Sequence, residues 1–176
     1  MVFVQRYMGM RALVGGLLDK HPEVLAVGVE SPPFGELWSE GLYGLFLYVN
    51  EAIYIRRKNV VYFDPHTLKL LARMDSSIIR GRMDKAEMVE AARADAGIKG
   101  AFNHNEADAY HVARFAARFW ELLEGVIFEP ELTPSERHVF TRTHTYLKGA
   151  RAGKTVKKGT IYRENDRFFR FAELET

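Results

Sequence analysis

The chain has 176 residues and a formal net charge of +2, a length that fits one domain with an appendage. Apolar residues make up 47% of it and cysteine is absent, so a full core is expected and disulfides, thiolate zinc sites and cysteine nucleophiles are excluded. The absence of cysteine fits a reducing cytoplasm or simply a heat-tolerant chain; no apolar run approaches the ~20 residues of a membrane span, and the N-terminus lacks a signal-peptide pattern.

Taken in chain order, residues 1–5 read as a short apolar strand. Residues 7–20 predict a helix, with Met10, Leu13, Val14, Leu17 and Leu18 at helical spacing. Gly15 and Gly16 weaken it, and His21-Pro22 ends it. Residues 24–30 form a nearly continuous apolar run, the pattern of a central strand covered on both faces. It stops at Ser31-Pro32-Pro33, where the prolines cannot donate to a ladder. Residues 36–57 predict a long helix with Trp38, Leu42, Leu45, Val49 and Ala52/Ile53 on one stripe; Gly41 and Gly44 permit close approach of another element. Residues 59–63 are a second apolar strand, ended by Asp64-Pro65, and 65–72 a short helical segment. A loop rich in Ser, Arg and Gly spans 75–83.

Residues 85–96 predict a helix and 97–100 a break. A long helix follows over 105–123, with Ala109, Val112, Ala113, Ala116, Phe119/Trp120 and Leu123 on its apolar side. Residues 129–135 read as a linker. Beyond it, 155–160 and 161–171 alternate and carry β-branched and aromatic residues, as β-hairpins do, with polar turns at 157–159 and 165–166. Phe168, Phe169 and Phe171 read as the small core of that hairpin. The order is that of an α/β fold with a parallel portion, which places functional groups at strand carboxyl ends.

Charge is unevenly spread. Arg137, Arg142, Lys148, Arg151, Lys154, Lys157, Lys158 and Arg163 follow one another with no Asp or Glu between them. Such a block faces a polyanion or forms a solvated tail.

Two carboxylates stand out. Glu30 ends an apolar strand; it either reaches water, caps a loop amide, or binds a cation. Asp108 lies near the start of the long helix among Ala107, Ala109, Val112 and Ala113. Acids in a first turn are favoured by the helix dipole, and capping by Asn105 would account for Asn105 and Glu106. Two such carboxylates suit hard divalent cations. Two-metal phosphodiester chemistry needs three or four ligands, so the pair alone is incomplete.

Four stretches, Val27-Gly-Val-Glu-Ser-Pro-Pro-Phe34, Val61-Tyr-Phe-Asp-Pro-His-Thr-Leu-Lys69, Gly81-Arg-Met-Asp-Lys-Ala-Glu-Met-Val89 and His104-Asn-Glu-Ala-Asp-Ala-Tyr110, occur in the order of RuvC-type Holliday-junction resolvases. Over roughly residues 7 to 123 the chain resembles that family, its phage-encoded branch in particular. The resemblance implies a ribonuclease H-like mixed sheet with flanking helices over residues 1–128, N-terminally incomplete; residues 136–176 lie outside it and read, from charge and alternation alone, as a basic C-terminal β-hairpin extension. It implies a homodimer that cuts four-way DNA junctions hydrolytically with two magnesium or manganese ions, in a host cell's cytoplasm where the gene is phage-borne.

Glu30 matches the family's strand-end glutamate and Asp108 its last aspartate. The further ligand falls among His104, Asn105 and Glu106. Lys85 matches a catalytic basic residue suited to a phosphate, and Lys69 another family lysine. Arg80 and Arg82 in the loop, with Lys148, Arg151, Lys154, Lys157 and Lys158 in the basic block, are the expected DNA contacts. The family's first strand bears a metal-binding Asp, and no residue of this sequence is matched to it. Three explanations compete: a start internal to a longer gene product, imperfect substitution by another residue such as Asp64, or loss of cleavage with DNA binding kept. The alternative function is a catalytically impaired DNA-binding or structural protein on the same fold.

Overall fold

The structure, a computed structural model, describes residues 2–31, 40–75, 83–97, 100–141, 143–145, 147–150, 152–157, 160–164 and 167–170. Thirteen elements follow in order: α1 (Val2–Lys20), β1 (Ala26–Glu30), α2 (Glu40–Ile55), β2 (Asn59–Phe63), α3 (Pro65–Asp75), α4 (Lys85–Ala96), α5 (His104–Leu123), a 3-10 turn (Glu129–Glu131), α6 (Pro134–Phe140), β3 (Thr143–Thr145), β4 (Thr155–Lys157), β5 (Ile161–Glu164) and β6 (Arg167–Arg170).

The main sheet runs β1-β2-β5-β6, and β3 and β4 form a separate two-stranded ribbon. β1 and β2 are parallel, from Ala26 opposite Asn59 to Glu30 opposite Phe63. β5 and β6 add antiparallel strands beyond β2. Alternation along β2 divides the core. Val60 packs with Leu18 and Ile53 under α1 and α2, while Val61 and Phe63 enter the larger core with Phe115, Phe119 and Phe140. Burial of each such phenylalanine contributes roughly 1.5–3 kcal/mol.

α1 lies along α2. Tyr7 stacks on Tyr48 at 5.6 Å, Arg11 meets Glu51 at 3.2 Å, and Arg56 holds Asp19 with two bonds of 2.7 Å. The small residues make this possible: a Cβ on Gly15 would fall 2.5 Å from the Arg56 guanidinium, and one on Gly44 would fall 2.9 Å from the Tyr7 ring. Gly44 thus serves the close approach its position suggested. Arg163 of β5, buried beneath α2, places its guanidinium 5.4 Å from the Tyr54 ring centroid.

Several expectations change. Residues 2–5 continue α1 rather than forming a strand. β1 is an edge strand among the described residues, and its side chains are half-buried rather than enclosed. β2, flanked on both sides, is the enclosed one. The stretch 129–135, read as a linker, carries the 3-10 turn and the start of α6, which begins with Thr133 at the N-cap, Pro134 at the first position and Glu136 closing the capping box. Phe140 ends α6 fully buried. Phe169 is 39% exposed, stacked on Tyr162, so it is no hairpin core residue. The side chain of Phe168, and Phe171 entirely, lie outside what is described. No described helix is long and apolar enough to cross a membrane.

Candidate metal and nucleic-acid site

The geometry starts from Gly28. Strand alternation puts Gly28 and Glu30 on the same side of β1, and helical periodicity puts Asp108 and Val112 on the same side of α5. β1 and α5 touch at Gly28, where a Cβ would meet Val112 at 2.7 Å and Ala116 at 2.9 Å. One step along each element from that contact, Glu30 and Asp108 come to the same end of a groove of about 890 Å³ between β1 and α5. Asn105 lines that end too.

The groups around Glu30 are charged. Its side chain remains solvent-accessible, yet packing still desolvates the carboxyl and raises its pKa, and the negative charges of Asp108 and Asp64 add to the rise. Lys69 opposes it. Three further charges thus act on Glu30 at the end of β1: Asp64 follows β2, Lys69 lies on α3, and Asp108 lies on α5. The strand ends are tied by the Ser31 amide, which donates to the Phe63 carbonyl at 2.7 Å.

Asp64 has a second task. Its carboxylate accepts the Thr67 amide at 2.9 Å and the Thr67 hydroxyl, so it caps the start of α3. The α5 cap is Asn103, not Asn105: its side chain accepts the amides of Asn105 and Glu106, and Glu106 returns a bond to the Asn103 amide at 2.7 Å. The Asn-x-x-Glu spacing was the available signal. Glu106 is thereby engaged in capping, and His104 stands exposed at the first position of α5.

Lys85 opens α4 beside its N-cap Asp84 and is exposed; among the described residues the cation acting on Glu30 is Lys69. Arg80, Arg82, Arg151 and Lys158 lie outside the described residues. Lys148 and Lys154 are exposed between β3 and β4, and Lys157 ends β4.

Among the described residues no three His, Asp or Glu side chains are grouped closely enough to hold a metal ion. The donors of the Glu30–Asp108 pair are all oxygen, which matches magnesium, an ion that takes one or two protein carboxylates and completes its shell with water and phosphate. Burial, with the neighbouring acids, raises the Glu30 pKa, and a bound cation would stabilise its ionised form. The pair fits a hard cation, and a second ion finds no complete set among the described residues.

Comparison with known proteins bears on the fold. RuvC of Thermus thermophilus superimposes with a TM-score of 0.53 at 21% identity over 70% of this chain and 71% of that one. The chain shares the RuvC fold. RuvC of T. thermophilus in complex with a Holliday junction substrate gives 0.51 at 22% identity, covering 66% of this chain and 71% of that one. This likeness makes the architecture α/β and ribonuclease H-like, as the RuvC-type motifs implied. No family model matches the chain, and no curated protein matches it by sequence.

Proposed function

We propose that the protein is a metal-dependent, structure-selective DNA endonuclease that hydrolyses phosphodiester bonds at four-way junctions. The observation that carries this reading is the placement of Glu30 and Asp108 in one groove between β1 and α5, with the charges of Asp64 and Lys69 acting on Glu30, in a fold shared with a junction-bound RuvC. Glu30 and Asp108 hold a divalent cation, magnesium or manganese, with Asn105 beside them as a neutral oxygen donor. When bound, such a cation activates water and stabilises the charge that builds on the phosphate. Lys69 favours ionised Glu30 and presents a cation to the approaching phosphate. Asp64, held by Thr67, keeps the end of β2 in register with Glu30 and adds negative potential for the cation. Lys148 and Lys154 supply sequence-independent phosphate contacts. Two copies acting on opposite strands would match the two-fold symmetry of a junction.

The second reading is a junction-binding protein that does not cleave. It is favoured by one observation: no third acid joins the Glu30–Asp108 pair as a free ligand among the described residues. The test is a labelled synthetic four-way junction and a linear duplex of the same sequence, each incubated with magnesium and with manganese. Cleavage of the junction in preference to the duplex supports the nuclease. Tight junction binding without cleavage at any metal concentration supports the second reading.

A further inference from the structure

The ribbon of β3 and β4 is rooted in the core at one place. Phe140, fully buried at the end of α6, accepts the Thr160 amide on its carbonyl at 3.2 Å, and Thr160 is itself buried just before β5. Beyond that root β3 and β4 form a sheet of their own, Thr143 opposite Lys157 and Thr145 opposite Thr155. In the loop that joins them, residues 147–150 and 152–154 are exposed. Leu147 is 86% exposed, more than any other large apolar side chain among the described residues. Lys148 follows it on the outgoing limb, and Lys154 stands on the returning limb. Gly149 and Gly153 hold left-handed backbone, φ 81° and 79°, and the Ala152 amide donates to the Gly149 carbonyl at 3.0 Å, so the loop closes on a defined turn. An apolar side chain thus sits near the end of a rooted arm with a cation on each limb.

We propose that this ribbon is a DNA-bending arm: Leu147 enters between two stacked base pairs of a duplex while Lys148 and Lys154 take phosphates beside the opened step. Charge sets the partner. From Arg137 to Arg163 the sequence carries eight cations and no acid, so the arm suits a polyanion. The single apolar side chain sets the mode. A protein interface gathers an apolar cluster around its anchor, and a membrane-surface contact takes a broad apolar face or a lipid chain. A wedge that unstacks one base step from the minor groove needs one apolar side chain, and leucine is among those that serve. The arm is long enough. Four steps of ~3.3 Å carry Leu147 up to ~13 Å beyond Thr143, against a minor-groove depth of ~7.5 Å. Phosphate contacts by the lysines offset the lost stacking. From the nuclease reading the proposal takes only that the partner is DNA; bending uses no metal and neither Glu30 nor Asp108.

The probe is a linear duplex of about 30 base pairs, rich in G·C except for one central TpA step, the kind most easily kinked. It carries 2-aminopurine for the adenine of that step and a donor–acceptor pair at its ends. The full chain is titrated into it in EDTA, which stops metal-dependent cleavage. The 2-aminopurine fluorescence should rise about twofold or more, and end-to-end energy transfer should rise with it, as a kink of roughly 20–90° requires. Leu147→Ser, at an exposed position, should abolish both rises at saturation, and Leu147→Met should keep them. Lys148→Gln with Lys154→Gln should weaken binding roughly tenfold and keep both rises at saturation. A parent chain that does not bind the duplex, or binds it with neither rise, overturns the proposal. So does a Leu147→Ser chain that gives the parent's signals. Binding to vesicles of phosphatidylserine and phosphatidylcholine that Leu147→Ser abolishes, with the DNA signals unchanged, also overturns it and assigns the tip to a membrane. A chain that cuts four-way junctions in magnesium without bending the duplex sinks this proposal and leaves the nuclease reading standing; a chain that bends the duplex and never cuts does the reverse.

Discussion

Gly28 of β1 and Val112 of α5 approach so closely that a Cβ on the glycine would lie 2.7 Å from both the Val112 side chain and its carbonyl oxygen. This contact sets the spacing between strand and helix, and with it the placement of Glu30 and Asp108. Neither wall atom sits at the far end of a flexible side chain, so the elements must part to admit a methyl group. Gly28→Ala should cost about 1–3 kcal/mol by overpacking, measured by urea denaturation. It should also reduce any metal-dependent activity by moving Glu30 away from Asp108. A stability unchanged within error would show that β1 and α5 are not in this contact.

Glu136 is buried to 1% exposure and meets the Arg118 guanidinium at 3.2 Å, while its other oxygen accepts the Thr133 amide at 2.9 Å. Truncation leaves the Arg118 guanidinium with Glu121 and the Glu131 carbonyl only, and leaves the Thr133 amide without its acceptor. Glu136→Ala should destabilise by about 3 kcal/mol, the lower end for a buried pair because Arg118 is about a third exposed. The loss should persist in 1 M salt, unlike that of the exposed Arg56–Asp19 pair.

His111 is 1% exposed, with Nε2 donating to the Met88 carbonyl at 3.2 Å and the ring stacked near Phe115. Burial holds its pKa below the usual imidazole value; Arg114 pushes the same way, and Asp95 and Asp108 oppose it. The unfolded chain therefore takes up this proton first as pH falls. Stability should decline from about pH 6.5 downward, by at most about 1.4 kcal/mol per pH unit for this group, until the folded imidazole itself titrates. His111→Phe should flatten that part of the pH profile. A profile as steep as that of the parent would place the dependence elsewhere.

Lys148 and Lys154 are exposed in the segment joining β3 to β4. If both contact phosphates, replacing them with glutamine should lower junction affinity and reduce the slope of log K against log salt by about 2. Point substitutions are needed because deleting residues 135–176 would remove most of α6 and all of β5 from the core. An unchanged slope would remove these lysines from the interface.

How far the fold could be read in the sequence depends on the range of the interactions that define each element. α4, with its capping box at Asp84 and Glu87, and β2, with its apolar run, are local patterns and lie where the sequence places them. β1 looked central because its run is apolar on both faces, but neighbours in a sheet are set by pairing across the chain. β5 joins β2 about 100 residues away in sequence, Val60 against Arg163, and no local period announces that. At the site, Glu30 and Asp108 were legible because acids are out of place in apolar runs. The arrival of Asp64 and Lys69 beside Glu30 rests on tertiary packing, and Asp64-Pro65 reads locally only as a strand end and a helix cap.

The central claim is that Glu30 and Asp108 together hold the metal that cuts DNA. The direct measurement is the single-turnover cleavage rate of a four-way junction in magnesium for the parent chain, Glu30→Gln and Asp108→Asn, with junction affinity measured in calcium alongside. Loss of a partner to a ligand already costs 10–100-fold, so loss of a ligand should slow cleavage by roughly 100-fold or more while junction binding is retained. Equal rates for the three proteins, or a parent chain that binds the junction and never cuts it, would contradict the account.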